Sequence, residues 1–173
     1  MTDSPTKSKA KTRAKAENAD YVWGSEVASG VAELLQPVLV HLTALHVDGK
    51  QAHWHVRGRD FIDVHELLDL YVEHVREWAD EVAERVVALG LPVDGRIATV
   101  ASATTTPEFP EGFQNVPDTI AAVVTQIDAT LEVLHTSIEE IEEIDPGSQD
   151  VLIEIERGLV KDRWFLQAHI ADD

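Results

Sequence analysis

Apolar residues recur three and four positions apart from Val27 through Val31, Leu34, Leu35, Val38, Leu39 and Leu42 to Leu45. That spacing predicts one long amphipathic helix from Glu26 to about Val56. Pro37 falls inside it, and a ring without an N–H predicts a kink or a later start there. The stretch "RGRD" breaks the pattern at Gly58. Phe61, Val64, Leu68, Tyr71, Val75, Val82 and Val86 then mark a second helix from about Asp60 to Leu89, stopped by Gly90 and Pro92.

The following segment, "LPVDGRIATVASATTTPEFPEGFQNVP", is too rich in Pro, Thr and Gly for a continuous element, and only Ile97 to Ala103 reads as a short helix. Its length lets a third helix, from about Pro117 to Ile144, return parallel to the second. "DPGSQD" separates that helix from a fourth, from about Gln149 to His169. No stretch reads as a strand and no internal repeat is visible. The pattern predicts an all-α fold, four long helices with a long crossover between helices two and three.

A chain of 173 residues fits one domain. Without Cys, disulfides, thiolate metal ligands and thiol nucleophiles are excluded, so metal chemistry here must use imidazole and carboxylate. The balance of 14 Lys plus Arg against 32 Asp plus Glu gives a net charge of -18. Residues 1 to 19 hold Lys7, Lys9, Lys11, Arg13 and Lys15 against Asp3 and Glu17, which is +3; the remainder has 14 - 5 = 9 basic and 32 - 2 = 30 acidic residues, which is -21. Residues 1 to 20 therefore read as a flexible basic tail and 21 to 173 as the helical domain.

Self-repulsion at such a charge is relieved by salt, so the acidic body points to a high-salt cytoplasm, with an acidic shell that gathers cations as the other reading. The tail could meet nucleic-acid phosphate, but the body repels the same polyanion and DNA binding is doubtful. No apolar run of signal-peptide or bilayer-spanning form is seen, and the expectation is a soluble, cytoplasmic protein without a membrane partner.

Chemistry concentrates around the first break. His65 and Asp69, and likewise Asp80 and Glu84, are i,i+4 pairs, and each pair presents two groups on one helical face. Eleven residues at 100° each leave about 20° between the pairs, so the four share one stripe, yet a rise of 1.5 Å per residue separates the pairs by roughly 16 Å. One metal cannot span that distance. His53 lies five residues before Gly58 and meets His65 across an antiparallel hairpin. A two-fold axis beside helix two would bring Asp80 and Glu84 of another copy to His53, His65 and Asp69, placing the site between subunits.

Two imidazoles and up to three carboxylates suit Fe(II) and Fe(III), and zinc takes similar ligands. The plain alternative is that carboxylates on a polar stripe only solvate the helix. A di-iron centre inside one bundle would need Glu-x-x-His on two helices, and only Glu132 and His135 supply it, so His135 reads as a surface or polar-core residue. His55 is an auxiliary candidate that faces elsewhere, while His41, His46, His74 and His169 lack comparable company. Trp54 and Trp78 read either as interface filling or as oxidisable rings beside the metal. Asp150 and Glu154 suit the start of helix four; with Asp145 they could instead form an acidic cation entrance. Glu66, Glu73, Glu77 and Glu81 are candidate mineral-nucleating groups.

The stretch "KQAHWHVRGRDFIDVHELLDLY", followed by "DEVAER" and later "RGLVKDRWFLQAH", strongly resembles the Dps family, the DNA-binding proteins from starved cells, from about Glu26 to His169. The resemblance implies a ferritin-like four-helix subunit in a hollow homododecamer with ferroxidase centres at two-fold interfaces. It implies that iron (Fe2+/Fe3+) is bound and oxidised, preferentially with hydrogen peroxide, and stored as ferric oxyhydroxide. On it, His53, His65 and Asp69 fall at the ligands from one subunit, Asp80 and Glu84 at those from its partner, and Trp54 at the tryptophan beside the centre. Pro37 stands where the family usually has Asn, the crossover is unusually rich in Thr and Pro, and the body is more acidic than in familiar members. A non-catalytic, DNA-compacting or structural shell is the alternative.

Overall fold

The structure is a computed structural model that describes residues 24–171, so the basic tail expected over residues 1 to 20 lies outside the described residues. Helix α1 covers Ser25–His55 and α2 Phe61–Ala88, with a two-residue strand β1, Val56–Arg57, after α1. A short α3, Ile97–Ala103, and a second strand β2, Gln114–Asn115, lie in the crossover, before α4, Val116–Ile141, and α5, Pro146–Ala168. This is the all-α four-helix bundle with its crossover between the second and third long helices.

Pro37 does not delay α1, which is helical from Ser25 through it. Pro37 is exposed while Leu35, Val38, Leu39 and Leu42 around it are buried, so packing of the neighbouring turns holds a helix that the local ring disfavours. At the other boundary, "DPG" starts α5 rather than ending α4. The Asp145 carboxylate accepts from the Ser148 N–H at 3.1 Å as N-cap, and Pro146 follows in the first turn, where its missing N–H costs nothing. Arg85 on α2 donates to the same carboxylate at 2.6 Å. Asp145 is therefore buried and committed within the subunit, which removes it from the acidic entrance considered above. Burial pushes its carboxyl up, but hydrogen bonds from Ser148 and Arg85 outweigh this and hold it below the ordinary value.

Each helix lies antiparallel to its neighbours. His53 meets His65 across α1 and α2, and Ser137 donates to the Leu34 carbonyl while Gln126 donates to Asp48 across α1 and α4. His74 meets Asp162 and Arg85 meets Ser148 across α2 and α5, and Arg163 on α5 donates to Asp128 on α4. The diagonal pair α2 and α4 is then parallel, the relation the crossover makes possible. Leu35, Leu42, Leu68, Ile127, Leu134, Ile155 and Leu159 fill the space between them and are fully buried, each contributing roughly 1.5–3 kcal/mol by transfer from water. Helix α1 is long and apolar enough to cross a membrane, but half of that stretch is buried inside this bundle, as in the central helix of a packed domain.

The strands correct the expectation that no strand forms. They pair in parallel, Val56 opposite Gln114 and Arg57 opposite Asn115, and tie the end of α1 to the end of the crossover. Two residues are too few to leave an alternating pattern in sequence.

Candidate metal centre

The α1 to α2 connection is short and tightly turned, with Gly58 at φ 112°, a region that suits glycine, and Asp60 also left-handed at φ 60°. This turn fixes the register of the hairpin and with it the pairing of His53 with His65. The contact is reciprocal. His53 Nδ1 donates to the His65 carbonyl at 2.9 Å, and His65 Nδ1 donates to the His53 carbonyl at 2.9 Å. The rings stack with centroids 3.6 Å apart at 23°. A carbonyl oxygen only accepts, so both Nδ1 atoms carry a proton and Nε2 is the nitrogen of each ring left to meet a metal, the arrangement of a metal-binding histidine oriented by a backbone carbonyl.

Asp69, one turn beyond His65, has a side chain 54% exposed, and its Oδ1 lies 3.6 Å from His53 Nδ1. Lys50 donates to it across the hairpin. That hydrogen bond, with smaller contributions from the two histidines, holds the Asp69 carboxyl below its ordinary value. Sequence reasoning missed Lys50, although the signal was present: 50 and 69 sum to nearly the same value as 53 and 65, so one hairpin register brings both pairs together.

Asp80 and Glu84 lie further along α2 and are exposed. Within this one chain His53, His65 and Asp69 are drawn together and the other two are not. Among the described residues, no group of three or more His, Asp or Glu is arranged to hold a metal ion within a single chain. Trp54, next to His53 on α1, is 61% exposed.

Other histidines have structural employment. His55 contacts the Gly112 carbonyl at 2.8 Å and packs on Phe113, securing the crossover rather than joining the centre. His41 bridges the Pro37 carbonyl and the Thr105 hydroxyl. His74, which had no evident partner in sequence, pairs with buried Asp162. His135 is exposed, 3.4 Å from Glu139 and 3.6 Å from Glu156, as expected for a surface residue. Trp78 packs against the core and over Gly158 inside the subunit.

Comparison with known proteins agrees with this architecture. Residues 32–173 match the ferritin-like domain family. The chain is 39% identical over 143 residues to the DNA protection during starvation protein of Mycolicibacterium smegmatis, covering 83% of this chain and 78% of that protein. It is 37% identical over 166 residues to the fine tangled pili major subunit of Haemophilus ducreyi, covering 94% of this chain and 88% of that protein. The structure of Dps from Microbacterium arborescens in the high iron form aligns with a TM-score of 0.82 and 53% identity, over 85% of this chain and 96% of that one. The fold thus defines a ferritin-like protein. Within that class, the chain belongs to the Dps family, with its family-level association with iron storage.

Proposed function

We propose that this protein is a ferroxidase that takes Fe(II) at centres shared between two subunits and stores the product as a ferric oxyhydroxide core. The single observation that carries the reading is the stacked pair His53 and His65, with both Nδ1 atoms held by carbonyls and both Nε2 atoms left as donors toward a metal. His53, His65 and Asp69 bind iron from one subunit, and Asp80 and Glu84 bind it from the partner across a two-fold axis. Iron is the substrate: two Fe(II) each give one electron to hydrogen peroxide, whose O–O bond breaks. With two waters, the yield is two ferric oxyhydroxide units and four protons. Because peroxide takes both electrons together, hydroxyl radical is not released. Trp54 stands where a stray one-electron oxidation would reach a ring before the rest of the chain.

The reading includes a hollow homododecamer and a cytoplasmic setting, with the acidic body an adaptation to high salt. It is supported by the ligand types, the common stripe of His65, Asp69, Asp80 and Glu84 on α2, and the likeness to a Dps in a high iron form. Likeness to a pilus subunit favours a second reading, a structural assembly whose carboxylates only solvate its surface. Peroxide-dependent Fe(II) oxidation by the intact assembly, lost in His65→Ala and Asp80→Asn, is the expected result. Unchanged turnover in both variants would leave the structural reading. Unfolding measured against salt tests the high-salt adaptation, with equal stability in dilute buffer as the result against it.

A further inference from the structure

Two large apolar side chains near the ends of α2 stand in solvent: Ile62 is 57% exposed and Val87 55%. At 100° per residue they lie only about 20° apart around the helix, on the line that also carries Asp69 and Asp80. Exposed Leu70 lies about 80° off that line. Between the two ends the line holds an ion pair, in which Arg76 donates to Glu73 through Nε at 3.3 Å and through Nη2. Arg76 Nη1 makes no hydrogen bond among the described residues.

In an antiparallel pair of copies about a two-fold axis, residues that stand opposite each other have numbers of constant sum. For the proposed centre that sum is 149, with His65 opposite Glu84 and Asp69 opposite Asp80. Two features that take no part in binding metal have the same sum: Ile62 falls opposite Val87, and Glu73 opposite Arg76. A slip of one helical turn in either direction puts Val87 opposite Gly58 or Glu66 and destroys the apolar contact. Arg76 meets a carboxylate in both slipped registers, Asp69 or Glu77, so the apolar pair is what selects between them.

We infer that α2 packs on α2 of a second copy in this one register, closed at both ends by Ile62 against the partner's Val87 and at the axis by Glu73 and Arg76 of both copies. Resting on the shared centre for the position of the axis, the inference adds that the lock closes without metal. Each Arg76 keeps its own Glu73 and extends Nη1 to the partner's Glu73, as a guanidinium with five N–H groups can. The apolar contacts bury side chains that the single subunit leaves wet. His65 and Asp69 lie between the end contact and the axis, so the two half-sites already face each other before iron arrives.

Disulfide trapping tests the register. The chain has no Cys, so introduced thiols have no native competitor. In Ile62→Cys/Val87→Cys the two thiols of one chain stand roughly 37 Å apart along α2, and any disulfide between them must join two chains. With chelator present and diamide as oxidant, most of the assembly should run as covalent dimer on a denaturing gel, linked between positions 62 and 87 by peptide mapping. Either single variant should stay monomeric on that gel, and Glu66→Cys/Val87→Cys, set for a slip of one turn, should link severalfold less. Adding Arg76→Glu to the first pair should lower its yield severalfold, and adding Glu73→Arg as well should restore it. No dimer, links between like positions, a higher yield in the slipped pair, or indifference to Arg76→Glu would overturn the lock. Links in this register, with Fe(II) oxidation untouched in His65→Ala and Asp80→Asn, would uphold the lock while the iron centre fails. Oxidation lost in those variants without the links would leave the centre and overturn the lock.

Discussion

His74 Nδ1 on α2 lies 2.9 Å from the carboxylate of Asp162 on α5, and Asp162 is 4% exposed. Burial raises the Asp162 carboxyl above its ordinary value, and the hydrogen bond from His74 only partly offsets this. A raised carboxyl pKa means that the folded state holds its proton more tightly than the unfolded state. Asp162 therefore favours folding below the ordinary value of 3.8, and that contribution is lost as pH rises through its raised value. His74→Ala removes the partner of a buried carboxylate and should cost about 1–3 kcal/mol at neutral pH. The cost should shrink in acid, as chemical denaturation at several pH values will show.

Tyr71 supplies a prediction of opposite sign. Its hydroxyl is buried with no hydrogen-bond partner among the described residues. Burial, then the charges of Asp162 and Asp48, push its pKa well above the ordinary value. Tyr71→Phe keeps the ring and discards the costly hydroxyl, so it should leave stability equal or raise it by up to about 1 kcal/mol. A clear loss in a urea melt would mean that the hydroxyl is satisfied in solution.

Gly158 lets α5 approach the Trp78 ring. A Cβ there would fall 2.2 Å from Trp78 Cζ2, inside any contact distance. Gly158→Ala should destabilise the subunit by about 1–3 kcal/mol despite alanine's better helix propensity. Adding Trp78→Leu should recover part of the loss, and a double-mutant cycle measures that coupling.

A centre shared between subunits, as proposed, makes a quantitative prediction about mixtures. His65→Ala and Asp80→Asn subunits are each expected to be inactive alone. In a mixed dimer, one site collects both substitutions and the other collects neither. Random reassembly makes half of the dimers mixed, so about one quarter of the original Fe(II) oxidation should return. No recovery from verified mixed assemblies would place all the ligands of a centre in one chain.

The long helices were legible because their apolar period follows burial: Val31, Leu35, Val38 and Leu42 are core on α1, and Val64, Leu68, Val75, Val82 and Val86 on α2. The pairing of His53 with His65 was legible too, since a short turn fixes the register on both sides of it. Helix ends were less so. Asp-Pro-Gly reads as a stop until the N-cap bond from Ser148 to Asp145 is seen. His74 with Asp162 was out of reach, because 88 residues separate them and only the packing of α5 on α2 brings them together.

The crossover is fastened at intervals along α1. Gln36 exchanges two hydrogen bonds with the backbone of Asp94, His41 meets Thr105, His55 meets the Gly112 carbonyl, and β1 pairs with β2. Length changes between those fastenings are thereby insulated from the histidines at the end of the hairpin. A foreign peptide spliced between Pro110 and Glu111 would be gripped on one side by Phe109 against the core and on the other by Gly112. The crossover thus offers a place for cargo display that leaves the His53 and His65 end of the bundle untouched.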